Sequence, residues 1–142
     1  MAKAHVYLNF SGNCREGMEF YKACLGGETK FMVMGDSKEM AGHIPAEHHD
    51  KIMHSTLTNG SLIIIGSDMN ETMTPGFQKG HGITIYLDCD TEADVDTLFA
   101  KLSEGGEASY PPSQMFWGGY FGGLTDKFGF QWSLVYDKNV SW

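Results

Sequence analysis

Apolar and polar residues alternate along His5–Phe10 and again along Thr84–Asp88, the period of two expected of half-buried strands. Between Thr91 and Gly105 the period lengthens. Val95, Leu98, Phe99 and Leu102 recur at helical spacing, Thr91 with Asp94 forms a capping-box-like start, and Gly105 supplies a C-terminal stop. An earlier helix over about Asn13–Leu25 is marked by Phe20, Tyr21, Cys24 and Leu25 and ended by Gly26-Gly27. Lys51–Thr58, Leu62–Gly66 and Phe130–Tyr136 read as further strands, and Thr29–Met34 and Glu107–Pro111 as weaker ones.

These elements repeat. At a shift of 79, residues 6–28 lie over 85–107 without a gap, and Tyr7/Tyr86, Leu8/Leu87, Phe20/Phe99, Lys22/Lys101, Gly26/Gly105, Gly27/Gly106 and Glu28/Glu107 are identical. Ordinary composition would give roughly one or two identities over such a length. Leu57-Thr58 then matches Leu124-Thr125 at shift 67, and Gly60–Asp68 faces Gly129–Asp137 at shift 69. The smaller later shifts put 12 extra residues in the first half, in the polar stretch around Gly35–Asp50. Each half therefore reads as strand, helix, then three strands. A four-stranded βαβββ sheet covered on one face by its helix leaves the other face open. The expectation is an α+β fold: two paired βαβββ modules, about 5–68 and about 82–137, forming a curled mixed sheet that encloses a cleft within one domain, 1–142.

Composition narrows the partners. A hydrophobic content of 42% argues against disorder, and 142 residues suffice for one core without staples. The net charge of −8, with no two Lys or Arg adjacent, does not fit a phosphate-tracking nucleic-acid surface. The longest aliphatic run, Leu62–Ile65, is far short of the ~20 residues of a membrane span, and the N-terminus lacks the apolar core of a signal peptide. Cys14, Cys24 and Cys89 form no C-x-x-C and leave an odd thiol under any pairing, so reduced cysteines in a cytoplasmic protein are expected.

Tyr7–Glu16 (Tyr-Leu-Asn-Phe-Ser-Gly-Asn-Cys-Arg-Glu), Phe20-Tyr21, Leu25-Gly26-Gly27, Phe116-Trp117-Gly118 and Asp126–Trp132 (Asp-Lys-Phe-Gly-Phe-Gln-Trp) span nearly the whole chain. In these segments the sequence resembles the PhnB-like branch of the vicinal oxygen chelate superfamily, which includes glyoxalase I, extradiol dioxygenases and bleomycin-resistance proteins. Where chemistry is present, the resemblance implies a divalent metal held by four side chains, two per module, on the first and last strands. Ser133 stands where the superfamily has its carboxylate, and the repeat maps it onto Ile64. Thr84 stands at the expected His, and the 79-residue shift carries it to His5, assuming a one-residue insertion in the following turn; an ungapped match selects Val6. Of His5, Ile64, Thr84 and Ser133 only His5 is a ligand, and one imidazole does not hold a divalent ion. No metal and no cofactor are expected.

Other constellations are weaker. His43, His48 and His49 with Glu47 read as a solvated polar loop, and His81, after Lys79-Gly80, as another loop residue. His54 lies mid-strand in phase with Ile52 and Thr56, either as a hydrogen-bonded structural His or as a cleft-lining one, and is the one candidate for acid–base work. Gly118–Gly123 reads as a glycine-rich loop. No helix follows it to present an N-terminus to phosphate, which counts against nucleotide and S-adenosylmethionine binding. Phe20, Phe99 and Phe130 read as core, and Cys14 and Cys24 as small buried hydrophobes on a helix. Tyr7, Tyr86 and Trp117 fit a cleft wall.

The sequence therefore reads as a PhnB-like protein that binds a small organic ligand through His5, Tyr7, His54, Tyr86 and Trp117, leaving open whether a reaction follows. The alternative is a metal-dependent glyoxalase- or dioxygenase-type enzyme with non-standard ligands, for instance His5, His54 and Glu28. A homodimer is expected, since superfamily members pair modules across chains and twofold dimers are the commonest oligomers.

Overall fold

The computed structural model describes residues 1–69 and 76–140, the side chain of Met40 excepted. The chain divides into two compact units, Met1–Gln78 and Lys79–Trp142. In the first, β1 (Val6–Phe10) leads to α1 (Cys14–Leu25), β2 (Glu28–Val33), α2 (Lys38–His43), β3 (Ile52–Asn59) and β4 (Leu62–Asp68). In the second, β5 (Ile85–Asp88) leads to α3 (Glu92–Leu102), β6 (Glu107–Gln114), β7 (Tyr120–Thr125) and β8 (Gln131–Tyr136). The strand orders are β1-β4-β3-β2 and β5-β8-β7-β6, so the two units have one topology. In each, the first strand runs parallel to the last and the other pairs are antiparallel.

The buried phases of the strands meet the helices. Leu8 and Phe10 of β1, Ile64 and Gly66 of β4 and Leu57 of β3 are buried with Met18 and Tyr21 of α1. Two glycines let that helix approach. A Cβ on Gly17 would run into the Phe10 ring, and one on Gly66 would lie 2.9 Å from Met18 Sδ and 3.3 Å from Cys14 Sγ. In the second unit Ile85, Trp132, Leu134 and Leu124 are buried with Val95, Phe99 and Leu102 of α3, and Gly122 accommodates Phe99 and Pro112. Thr91 caps α3 as its sequence predicts, accepting from Asp94 N at 3.0 Å.

The start of α1 is held differently. Asn13 makes no side-chain cap bond. Instead Asp68, buried at the end of β4, accepts from Cys14 N (2.9 Å) and Ile52 N (2.8 Å) and ties helix, β3 and β4 together. Asp126 does similar work in the β7–β8 turn, accepting from Phe128 N, Phe130 N and the Trp132 indole at 2.8–3.0 Å.

Three sequence expectations need correction. The extra residues at Gly35–Asp50 are not a plain loop: they form α2 between two short 3-10 turns, Met34–Asp36 and Ala46–His48. Gly118–Gly123 is not a loop either, since β7 begins at Tyr120. Ile52 is out of phase with His54, because a bulge pairs Met32 with His54 but Val33 with Ile52. The extra residue, Met53, turns Ile52 onto the buried face with Ser55 and Leu57.

Candidate functional site

The sheet face opposite each helix carries the candidate residues. On the first module, Tyr7 pairs across β4 with Ile65, then Thr56 and Lys30. The Tyr7 hydroxyl donates to Ser67 Oγ at 2.8 Å. His54 is exposed on β3 beside Met32, and His5 is exposed one residue before β1, in phase with Tyr7. The three share a face without converging: the whole of β4 lies between Tyr7 and His54. Glu28 faces Thr58 at the far end of β2, four residues from Met32, a separation of about 13 Å along the strand. His5, His54 and Glu28 therefore do not meet, and among the described residues no three His, Cys, Asp or Glu side chains are grouped to hold a metal ion.

Strand register corrects the repeat mapping. Tyr86 pairs with Ser133 in the second module and Tyr7 with Ile65 in the first, so Ser133 corresponds to Ile65. Ile64 is 1% exposed, on the opposite face beneath α1. The β3–β4 turn is one residue shorter than the β7–β8 turn, since Leu57 pairs with Ile64 but Leu124 with Trp132. Carrying the longer turn's spacing through that gap moves the assignment to the wrong side of the sheet.

The open face of the second module is aromatic at its sides and small in its middle. One row across all four strands reads Tyr86, Ser133, Gly123, Tyr110. Tyr86 is 51% exposed and Tyr110 66%. Tyr110 pairs with Phe121 (centroids 6.4 Å apart), and both rings lean over Gly123, where a Cβ would lie 3.2–3.3 Å from them. The result is a trough with Ser133 on its floor, Tyr86 on one side and the Tyr110–Phe121 pair on the other. Burial first, then the Asp88 and Asp137 carboxylates, holds the Tyr86 phenol above its ordinary pKa, so it is a neutral donor near neutral pH.

Two residues along the strands lies a polar row. Thr84 Oγ1 donates to Gln131 Oε1 at 3.3 Å, and Gln131 Nε2 lies 2.9 Å from His81 Nδ1. His81 lies in the loop before β5, as its sequence implies. The available signal was its spacing, three residues before Thr84, which returns a chain to the start of β5. Trp117 sits in the β6–β7 turn, half-exposed, its ring folded over Gly119. That turn is closed by Met115 N donating to Gly119 O and by Gln114 Nε2 donating to Gly118 O.

The other candidates are local. His49 Nε2 contacts Ile44 O at 2.9 Å, and His48 lies 3.6 Å from Glu47, within the 3-10 turn. None of the three cysteines forms a disulfide, and all three are buried. Burial pushes the Cys14 thiol up to about 12 and that of Cys89 to about 11, which removes both as nucleophiles at neutral pH.

A family model described as 3-demethylubiquinone-9 3-methyltransferase matches residues 2–135. The chain belongs to this PhnB-like family. Similar proteins cover it nearly end to end. It is 28% identical to "Protein YjdN" of Escherichia coli, over 90% of each chain. The crystal structure of protein PA1353 from Pseudomonas aeruginosa is 35% identical, with a TM-score of 0.84 over 96% of this chain and 98% of that one. A structure titled as a putative 3-demethylubiquinone-9 3-methyltransferase, PhnB protein, from Bacillus cereus has a TM-score of 0.71 at 24% identity, over 95% and 99%. The PhnB-like chain also shares its fold with a glyoxalase/bleomycin resistance protein/dioxygenase family enzyme from Burkholderia phytofirmans (TM-score 0.64, 17% identity, over 94% and 98%). Among the described residues no helix is long and apolar enough to cross a membrane.

Proposed function

We propose that this PhnB-like protein binds a small organic molecule with a planar apolar body on the open face of its second module. The observation that carries this reading is the row Tyr86–Ser133–Gly123–Tyr110, in which Ser133 lies between Tyr86 on one side and, on the other, the Tyr110–Phe121 pair packed over the buried Gly123. Such walls offer large apolar area on side chains with few rotors, and Ser133 and the Tyr86 hydroxyl add neutral hydrogen-bonding groups. The reading assigns Trp117 a contact at the β6–β7 turn, and His5, Tyr7 and His54 contacts on the first module's own face. It requires no metal or cofactor, and it holds whether or not a reaction follows.

The glycine-rich segment does not support the methyl transfer that the family's description names. S-adenosylmethionine binding on a glycine-rich turn needs a following helix N-terminus, whereas Gly118–Gly123 runs into β7. We also propose a cytoplasmic homodimer, for which sedimentation should give twice 15.7 kDa at micromolar concentration.

The test is a thermal-shift screen of aromatic fragments, since a ligand that binds only the native state raises Tm. Hits should weaken by about 1–3 kcal/mol on Tyr86→Ala, the transfer free energy of a buried aromatic contact. Hits indifferent to both Tyr86→Ala and Tyr110→Ala, or no hits, would count against the reading.

A further inference from the structure

His81 and Thr84, from the segment leading into β5, and Gln131, at the start of β8, meet at one end of the Tyr86–Tyr110 trough. Thr84 and Gln131 flank the Ile85–Trp132 pair on the open side of the sheet, and Gln131 also faces Thr125 across β7. This row lies two residues, about 7 Å, from the row of Tyr86 and Ser133. The chain of bonds has a direction. Gln131 Oε1 accepts from the Thr84 hydroxyl, which turns the amide nitrogen towards His81 Nδ1. An amide NH2 only donates, so Nδ1 must accept and the neutral imidazole carries its proton on Nε2. Nε2 has no hydrogen-bond partner among the described residues, and His81 is exposed.

We infer that His81 is a specificity-determining residue, presenting an Nε2–H donor that selects planar aromatic ligands bearing a hydrogen-bond acceptor such as a carbonyl. Gln131 is a positioning residue that sets the tautomer. The inference rests on the binding reading above. It adds a donor to those of Tyr86 and Ser133, and so strengthens the distinction between an aromatic ketone and the corresponding hydrocarbon.

The test uses two probes of matched shape, 2-acetylnaphthalene and 2-ethylnaphthalene, with nitrogen-15 imidazole NMR. In the free protein the His81 signals should be those of the Nε2–H tautomer. The ketone should bind the wild type about five- to tenfold more tightly than the hydrocarbon, the contribution of one hydrogen bond. His81→Ala should cut that preference several-fold. Gln131→Glu gives the sharper outcome. A carboxylate cannot donate, so at about pH 8.5, where an imidazole beside a carboxylate is neutral, Nδ1 takes the proton, Nε2 becomes an acceptor, and the preference should pass from the ketone to 2-naphthol. A change of tautomer is a readout that a merely structural Gln131 would not move. If both naphthalenes perturb Tyr86 but His81→Ala and Gln131→Glu leave the preference unaltered, the role of His81 is wrong and the face still binds. If neither probe perturbs Tyr86, the binding reading itself fails.

Discussion

Replacing Asp68 by Ala should destabilise the first module by at least about 3 kcal/mol. The carboxylate is 6% exposed and holds two backbone amides, Cys14 N at 2.9 Å through Oδ1 and Ile52 N at 2.8 Å through Oδ2. A hydrogen bond to a charged group contributes about 1.5–3 kcal/mol, so the pair contributes about 3–6 kcal/mol. Cys14 opens α1, whose positive end gains a further few tenths of a kcal/mol from a nearby anion, and Asn13 offers no side-chain replacement. Asp68→Asn is the informative companion. It keeps one acceptor oxygen and turns an NH2 towards the other amide, so it should recover less than half of the loss. Urea unfolding measures both: with a slope of about 1–3 kcal/mol/M, a loss of 3 kcal/mol moves the midpoint by about 1 M or more. A loss below about 1 kcal/mol for Ala, or an Asn variant as stable as the wild type, would refute the assignment of Asp68 as the clamp of helix, β3 and β4.

Cys14 and Cys89 should resist iodoacetamide in the native protein at pH 8; labelling at the rate of a free thiol would contradict their raised pKa values of about 12 and 11. An acid whose pKa is raised on folding ionises first in the unfolded chain. The stability the two thiols contribute should therefore be complete below about pH 8.5 and fall as pH rises towards 11–12, in a urea series run from pH 8 to 10.5. Gly66→Val should destabilise by about 1–3 kcal/mol in the same assay, because its Cβ would press on Met18, Phe10 and Cys14; a neutral result would mean α1 sits farther from β4. His5→Ala should leave the metal content of untagged protein unchanged, and stoichiometric metal lost on that substitution would restore the metalloenzyme alternative.

The duplicated fold was legible because both signals it needs are local. Strand alternation at His5–Phe10 and Thr84–Asp88, and the helix pattern from Thr91 to Gly105, repeat at one fixed shift and need no knowledge of contacts. Register was not legible in the same way. The one-residue difference between the two closing hairpins is invisible to a mapping that follows identities, yet it decides whether Ile64 or Ile65 shares a face with Tyr7. The Met53 bulge did the same to Ile52, and the glycines of β7 imitate a loop because Gly122 and Gly123 make room for Phe99 and for Tyr110 rather than for a turn. For the site, Tyr86 could be picked from its phase alone. Tyr110 could not, since β6 is exposed almost throughout and carries Pro111-Pro112, which hides any alternation. His81 needed a partner from β8, fifty residues away in sequence, before it became more than a loop residue.

Amide NMR mapping of 2-acetylnaphthalene bound to the isotope-labelled protein tests the central claim most directly. The account predicts the largest shifts at Tyr86, Gly123, Gln131 and Ser133, on the open face of the second module. A competing outcome is the groove of about 550 Å³ at the start of α1, where Gly12, Arg15, Lys51 and Asp68 meet. Shifts centred there, with the Tyr86–Tyr110 row unmoved, would contradict the account.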